Sequence, residues 1–220
     1  MDGGEVERVS FVPCNLAESA VRFAARSNTN LVSTRSGLKF LSLRAGIYTD
    51  AFPLYLNWYP SSTKVLLPNT QPPVSEGRIA FTSRNELGEG MAALLAKGLD
   101  AFPSIKPKTD KNILLLTSQA KNTLEDLVRA ISQAKGTETP LEYLEPSEWI
   151  AASAKDDVGN KPRAWFEARL VVLEGFNQGE AEVVDDALAT LLGRTPETGF
   201  DGVQRLLRED GGFTWHQNHM

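Results

Sequence analysis

The segment 48–60 (YTDAFPLYLNWYP) carries the side chains best suited to holding a small molecule. Flat aromatic rings alternate with a few polar groups in this segment, a mixture typical of ligand pockets. The segment also follows a strongly apolar stretch that predicts a buried strand, and ligands of α/β proteins bind beyond the carboxyl ends of such strands. The same residues fit a hydrophobic cover over the core equally well. The candidate pocket residues are Tyr48, Asp50, Phe52, Tyr55 and Trp58.

A glycine pattern at 88–93 (GEGMAA) resembles the turn that cradles a dinucleotide pyrophosphate. Its context differs from that of such a turn, because 83–86 (SRNE) is a capping-box pattern that predicts a helix beginning before the glycines. The preceding predicted strand ends at Thr82, and no acidic residue follows the next strand to hold a ribose. We therefore interpret the glycines as positions of close helix packing.

Metal and thiol chemistry have little support in the sequence. His216 and His219 are spaced as half of a metal site, but Cys14 is the only cysteine and no further histidine exists. The acidic pairs 156–157 and 185–186 are interpreted as solvated faces rather than general acid–base pairs. One cysteine allows no intrachain disulfide, so we expect a cytoplasmic protein without a bound metal.

Composition excludes several classes of partner. The chain has 220 residues, 41% of them hydrophobic and 23% charged, with a net charge of −5. These values are ordinary for a globular protein, and the negative charge argues against direct binding to nucleic acid. The acidic N-terminus has no apolar signal region, and no apolar run reaches the ~18 residues of a membrane span. We therefore expect a small molecule as partner, and neither nucleic acid nor membrane.

Hydrophobic periodicity predicts strands that alternate with helices, an arrangement typical of α/β folds. The run 112–117 (NILLLT) is almost continuously apolar, which predicts a strand buried on both faces. One helix should present Leu87, Met91, Leu94 and Leu95 on a single stripe and end at Gly98. The predicted strands are 6–12, 38–47, 77–82, 112–117 and 141–144. The predicted helices are 17–34, 83–97, 123–135, one opening at Pro146, and three after Pro162.

Five segments, in order, resemble the NmrA-like atypical short-chain dehydrogenases, including their NAD(P)H:quinone oxidoreductase-like branch. The segment 41–52 (LSLRAGIYTDAF) is similar to the family pattern "ILRPG-F/Y-x-E-N-F". Segment 6–12 is similar to "VKRVVFV" and segment 77–88 to "GKVAWASRDDLA". Segment 113–150 is similar to the strand and helix of "TLAELAAAISEALG", and segment 178–196 to "GELAEVTDDLERLTGRPP".

The resemblance implies a fold and a domain organisation. The fold expected is α/β, an incomplete Rossmann-like parallel sheet with a mostly helical C-terminal substrate lobe. Residues 1–48 would be a remnant of the nucleotide-binding sheet and 49–220 the substrate lobe, with the strand at 112–118 returning to the sheet.

The resemblance also implies a function. Family members transfer hydride from NADPH or NADH, so the chain is expected to reduce a small aromatic or quinone-type molecule, in secondary metabolism. Tyr48, or a water molecule, would donate the proton. Contacts with the nicotinamide end of the cofactor would come from Pro13, Cys14, Gly46 and Ile47.

The family's glycine-rich "GATGxxG" loop has no counterpart before Val6. Two alternatives to a reductase follow: a non-catalytic binding or regulatory protein, or a truncated gene product that has lost dinucleotide binding. An incomplete parallel sheet also exposes an apolar edge. We therefore expect the chain to associate with itself through that edge.

Overall fold

The computed structural model describes residues 8–13, 40–107, 112–155 and 157–215, with the backbone alone at 8–13 and Phe40. The predicted helix at 17–34 lies outside these residues. The described strands are β1 (Arg8–Pro13), β2 (Phe40–Ala45), β3 (Ile47–Tyr48), β4 (Val65–Pro68), β5 (Phe81–Thr82), β6 (Ile113–Leu116) and β7 (Leu141–Leu144). The described α-helices are α1 (Phe52–Leu56), α2 (Arg84–Lys97), α3 (Leu124–Lys135), α4 (Pro146–Lys155), α5 (Arg163–Asn177), α6 (Ala187–Leu192) and α7 (Gly199–Glu209).

Three parallel strands form the principal sheet, in the order β1-β2-β6. Their carboxyl ends are level, because Pro13 pairs with Ala45 and Ala45 pairs with Leu116. Two further parallel pairs, β3 with β5 and β4 with β7, extend the fold toward the helical half of the chain. The predicted α/β class and the helices after Pro162 are confirmed.

The predicted strand 38–47 is two strands that belong to two sheets. β2 ends at Ala45, and after Gly46 the chain enters β3, which pairs with β5. Gly46 permits the change of partner because a Cβ there would lie 2.6 Å from Oγ1 of Thr82. The strands cross too closely at this point for any side chain.

The prediction of a strand over 77–82 was too long. Only Phe81–Thr82 lies in a ladder. Ile79 makes an isolated antiparallel bridge with Asn122, and the N–H of Ala80 donates to the carbonyl of Ala181. Connecting segments rather than a neighbouring strand therefore satisfy this backbone.

The prediction that 112–117 is buried on both faces was wrong in part. Leu114 and Leu116 are buried, whereas Ile113 and Leu115 are only half-buried. Among the described residues β6 has a strand neighbour on one side alone, β2. Within the described residues β6 is thus an edge strand, and the face that carries Ile113 and Leu115 is incompletely covered.

Helix α3 begins and ends as its sequence predicts. Thr123 and Asp126 form a reciprocal capping box, with the Thr123 hydroxyl accepting from the Asp126 N–H at 3.1 Å and an Asp126 carboxylate oxygen accepting from the Thr123 N–H at 3.0 Å. Gly136 ends the helix at φ 66°, a left-handed conformation that glycine adopts without strain.

Helix α2 departs from its prediction at two places. Ser83 makes no side-chain capping bond, and the carboxylate of Glu86 instead accepts from the backbone N–H of Glu197 and from the guanidinium of Arg194. Leu95, expected on the buried stripe, is 65% exposed. The helix does end at Gly98.

Two apolar clusters hold the elements together. The larger lies in the helical half around Trp58, Trp149 and Phe166, which are nearly inaccessible to solvent. The smaller packs α2 and α6 against the principal sheet through residues such as Leu43 and Leu188. None of the described helices combines the length and apolarity that crossing a membrane requires.

Candidate functional site

The carboxyl edge of the parallel strands leads directly into the segment predicted to bind a ligand. Tyr48 is the last residue of β3 and is half-buried. The single 3₁₀ turn Thr49–Ala51 follows it and places Asp50 beside the first turn of α2. Ligands of parallel α/β sheets bind beyond this edge, so Tyr48 and Asp50 lie where the fold favours a site.

Asp50 is engaged by the protein itself. Its Oδ2 accepts a hydrogen bond from the backbone N–H of Arg84 at 3.0 Å, and the side chain is 9% exposed. A carboxylate at the start of a helix accepts a hydrogen bond from an otherwise unpaired N–H and interacts favourably with the positive end of the helix dipole. Asp50 therefore anchors the segment 48–51 to α2.

Tyr55 interacts with both the Tyr48 backbone and Arg169. Its ring is buried, and a hydrogen bond from the Tyr48 backbone reaches its hydroxyl. Burial raises the pKa of Tyr55 well above its ordinary value, the nearby Arg169 guanidinium opposes this, and the charge of Asp50 adds to it. Tyr55 is consequently a neutral phenol over the physiological range.

Arg169, on α5, was missed by the sequence reasoning. Its guanidinium carbon lies 4.9 Å from the ring centroid of Tyr55 and 6.0 Å from that of Trp165. The residue is 7% exposed, and its Nε and Nη2 are buried without a hydrogen-bond partner. Burial lowers the pKa of Arg169 to about 10, so the group keeps its charge at neutral pH.

A sequence signal for Arg169 existed. It stands three residues after Phe166 and four before Leu173, which places it on the buried stripe of its helix. A cation on an apolar stripe is rare unless it is paired. We name the group formed by Tyr48, Asp50, Tyr55 and Arg169 the Arg169 cluster.

Phe52 and Trp58 lie behind this cluster, inside the larger core. Phe52 is 0% and Trp58 1% exposed. The Phe52 ring contacts Trp58 at a centroid distance of 5.5 Å and stacks on Phe213 at 5.7 Å. Their packing is that of a hydrophobic cover, the second interpretation of segment 48–60, and they support the cluster from behind.

The residues expected to contact a nicotinamide ring are only partly described. Cys14 lies outside the described residues, and of Pro13 the backbone alone is described, at the end of β1. Gly46 follows β2 at the same level, where close packing accounts for the glycine. Ile47 is buried in the larger core. The level ends of the three strands suit the ring end of a dinucleotide.

The glycine pattern at 88–93 forms no part of such a site. Both Gly88 and Gly90 lie within helix α2. A Cβ on Gly90 would lie 2.9 Å from Cδ1 of Leu188, whereas a Cβ on Gly88 would meet nothing within 4 Å. Close packing of α2 against α6 explains Gly90, as the sequence context predicted, but the same prediction was wrong for Gly88, which faces open space.

A second buried polar group lies in the helical half. The Lys161 ammonium donates to Oδ1 of Asp157 at 2.8 Å and to the Tyr59 hydroxyl, which itself donates to Asp157 at 2.9 Å. The rings of Tyr59 and Trp165 surround the ammonium, at centroid distances of 4.9 and 5.0 Å. These charges are paired and sealed, so we assign the group to stability rather than to chemistry.

Across 40–107, 112–155 and 157–215, histidine, cysteine and acidic side chains nowhere gather in threes as a metal ion would need. His216 and His219 lie outside these ranges.

Parallel strands followed by a helical lobe define a class of protein. The chain has the fold of the Rossmann-like NAD(P)-binding reductases and epimerases. A nucleoside-diphosphate-sugar epimerase of Staphylococcus aureus superposes with a TM-score of 0.64 at 18% identity, over 90% of this chain and 64% of that one. An NADPH-dependent quinone oxidoreductase of Escherichia coli gives 0.59 at 17% identity, over 85% and 59%. A Citrobacter triphenylmethane reductase complexed with NADP(H) gives 0.58 at 20% identity, over 85% and 57%.

Sequence similarity narrows the class to a family. The chain is 38% identical over 189 residues to the NmrA-like family domain-containing oxidoreductase flvB of Aspergillus flavus. That match covers 86% of this chain, and the chain spans 57% of the length of the curated relative. Over the matched region the chain belongs to the NmrA-like family, as the five segments predicted. No family profile matches it.

Proposed function

We propose that the chain is an NAD(P)H-dependent reductase that acts on a small aromatic or quinone-type molecule. The observation that carries the proposal is the Arg169 cluster, which collects a half-buried tyrosine, a neutral phenol and a buried cation beside the carboxyl edge of a parallel sheet. Two proteins of similar fold are a quinone oxidoreductase and a triphenylmethane reductase. Both substrate classes contain flat conjugated rings.

Each residue of the site has a proposed role. Tyr48, half-buried at the end of β3, donates a proton to the reduced oxygen or carbon of the substrate. Asp50 and Tyr55 bind the substrate and fix the Tyr48 backbone, while Phe52 and Trp58 support them from the core.

The cofactor, when bound, supplies the hydride. Its nicotinamide end would rest on Pro13, Cys14, Gly46 and Ile47, at the level ends of the strands. The preference between NADPH and NADH would be set elsewhere in the protein. The described residues contribute ring contacts, orientation of the substrate and exclusion of water.

A specific observation favours a second candidate, a non-catalytic NmrA-like binding or regulatory protein. In 40–107, 112–155 and 157–215, no strand leads through a glycine-rich turn into a helix, the arrangement that grips a pyrophosphate. A chain without that grip would bind a small aromatic ligand and transfer no hydride.

Titration with NADPH separates the two candidates. Micromolar binding, followed by calorimetry or cofactor fluorescence, together with consumption of NADPH in the presence of benzoquinone, is expected for the reductase. Absence of binding at millimolar NADPH contradicts the reductase and leaves the binding protein. The same titration on a longer chain that includes upstream coding sequence tests whether a truncated product has lost the phosphate loop.

Self-association, a cytoplasmic location and a role in secondary metabolism are parts of the same proposal. Self-association is supported by the position of β6, which among the described residues pairs on one side alone and leaves its other edge open. Light scattering at increasing concentration should give a rising mass. A constant monomer mass would contradict it.

A further inference from the structure

Arg169 is a buried cation without a counter-ion among the described residues. Arg163, Arg194 and Arg205 of the same half of the chain, which are all more exposed than Arg169, pair with carboxylates. Arg169, at 7% exposure, makes no such pair, and two of its nitrogens are buried without partners. A buried, unpaired charge is costly, and folded proteins rarely retain one without a function.

The position of the orphaned donors indicates what the missing partner is. Nε and Nη2 lie on one edge of the guanidinium, the edge that meets the two oxygens of a carboxylate in a bidentate pair. The guanidinium carbon lies over the ring of Tyr55 at 4.9 Å and over that of Trp165 at 6.0 Å. These two cation–π contacts hold the guanidinium in place, and the edge formed by Nε and Nη2 lacks hydrogen bonds.

Nearby carboxylates of the described chain are already engaged. Asp50, the acid closest to the Tyr55 hydroxyl in the cluster, accepts from the Arg84 N–H. Asp157, beyond Trp165, is held by Lys161 and Tyr59. The partner of Arg169 must therefore come from elsewhere.

We infer that Arg169 is the receptor for a carboxylate carried by a flat, aromatic ligand. The inference rests on the proposed function, because Tyr55 belongs both to the substrate site and to the ring stack on Arg169. It restricts the ligand class from small aromatic molecules to aromatic carboxylic acids. Trp165 is half-buried and its ring lies 6.0 Å from the Arg169 guanidinium carbon, so we expect entry of the ligand to turn its indole ring.

Benzoate and benzamide are a matched pair of probes for this receptor. They have the same shape, but only benzoate carries the charge and the two equivalent oxygens. In calorimetric titrations of the full chain we expect benzoate to bind at least about tenfold more tightly than benzamide, as expected when a charge-assisted pair is lost. Quenching of indole fluorescence by benzoate should disappear in Trp165→Phe.

Variants locate the effect. Arg169→Met is expected to bind benzoate at least about tenfold more weakly, and Arg169→Lys to bind it with an intermediate affinity because an ammonium cannot form the bidentate pair. Arg163→Met is the matched control. Arg163 forms an exposed ion pair with Glu167, on the side of the helix away from the Arg169 cluster. The variant should leave benzoate affinity unchanged. If Arg169→Met fails to fold, the Lys variant carries the comparison.

Equal affinity of the wild-type chain for benzoate and benzamide would overturn the inference, as would full benzoate affinity in a folded Arg169 variant. The inference would also be overturned if the wild type bound no benzoate and Arg169→Met were less stable than the wild type. That result would favour an acidic residue outside the described segments as the partner of Arg169. NADPH titration of the same samples distinguishes the two proposals. Benzoate binding that depends on Arg169 without any NADPH binding contradicts the reductase alone, and the reverse result contradicts the receptor alone.

Discussion

The carboxylate of Asp50 accepts a hydrogen bond from the backbone N–H of Arg84 at 3.0 Å, across 34 positions of the chain. The bond joins the segment that follows β3 to the first turn of α2. The cap of α2 is thus supplied by a residue of the candidate site rather than by Ser83, which directly precedes the helix. Stability of the helix and geometry of the site depend on the same carboxylate.

Asp50→Ala should therefore lower the free energy of unfolding by more than Ser83→Ala does. Asp50→Ala removes the cap and is expected to lower the free energy of unfolding by about 1–2 kcal/mol. Ser83→Ala removes a buried hydroxyl that has no hydrogen-bond partner and should change it by less than about 0.5 kcal/mol. Urea unfolding measures both, and a larger loss in Ser83→Ala would contradict the cap assignment.

The two glycines of the pattern at 88–93 offer a second matched pair. Gly88→Ala meets open space on an exposed helix face and should raise the free energy of unfolding by about 0.5–1 kcal/mol through helix propensity. Gly90→Ala places a methyl 2.9 Å from Leu188 Cδ1, so strain should cancel or exceed that gain. Neither change should alter NADPH affinity. A weaker affinity in Gly88→Ala would restore the cofactor interpretation of the motif.

Two capping-box patterns show where local sequence suffices to predict structure. The box at Thr123 forms as expected, because both of its partners lie within the helix start, and the other residues that bond to Asp126, which are Asn122 and Arg129, are its near neighbours in sequence. The box at Ser83 does not form, because Glu86 finds Arg194 and the Glu197 N–H, while Asp50 takes the helix start. The competing partners are distant in sequence, and no local pattern encodes them.

The candidate site likewise contains residues that local sequence predicts and residues whose contacts are distant in sequence. Tyr48 and Asp50 could be predicted, because an aromatic and acidic segment after a buried strand must emerge at the sheet edge. Arg169 could be placed on a buried stripe from periodicity alone, but its stacking on Tyr55 joins segments more than a hundred residues apart. Phe52 packs between Trp58, which is near in sequence, and Phe213, which lies on a still later segment.

Tyr48→Phe tests the proposed proton donor. The variant keeps the ring and the backbone hydrogen bond to Tyr55 but loses the hydroxyl, so NADPH-dependent reduction of benzoquinone should fall about 100-fold or more with NADPH affinity unchanged. Tyr143→Phe is the control, since Tyr143 is 39% exposed, binds Glu125 and lies outside the Arg169 cluster. Equal rates in the two variants would remove Tyr48 from the reaction.

Arg169→Met should stabilise the protein in the absence of ligand. Removing two orphaned charged donors recovers about 1–3 kcal/mol for each, and losing the stacking of the cation on two rings costs about 0.5–2 kcal/mol. These ranges give a net change between about 0 and 5.5 kcal/mol, so we expect the free energy of unfolding to rise by about 3 kcal/mol. A loss of stability would indicate a carboxylate partner within the chain.

The pH dependence of that difference has a definite sign. Burial lowers the pKa of Arg169 from its ordinary value to about 10, so the charged form is disfavoured in the folded state. The penalty is fully present below about pH 10 and is relieved as the pH rises from there toward the ordinary pKa of arginine. The stability advantage of Arg169→Met should therefore be constant around neutral pH and shrink above about pH 10. An advantage that grows with pH would contradict the burial of an unpaired cation.

The sealed pair of Lys161 and Asp157 should govern acid stability. Burial opposes ionisation of Asp157, but hydrogen bonds from the Lys161 N–H and ammonium and from Tyr59 outweigh it and hold the pKa below 3.8. A carboxyl whose pKa is lowered on folding contributes stability that is complete above 3.8 and is lost as the pH falls through the folded value. Asp157→Asn should flatten this part of the acid-unfolding curve, and an unchanged slope would contradict the assignment.

Breaking the same pair from its other side should be more damaging than breaking an exposed one. Lys161→Met leaves the Asp157 carboxylate buried and without its cation, which is expected to cost about 3–5 kcal/mol. The pair of Arg163 and Glu167 is spaced identically at i,i+4 but is more than half exposed, at 59% and 52%. Arg163→Met should therefore cost at most about 1 kcal/mol. Urea unfolding at neutral pH compares the two variants directly, and similar losses would mean that water reaches Asp157 when Lys161 is removed.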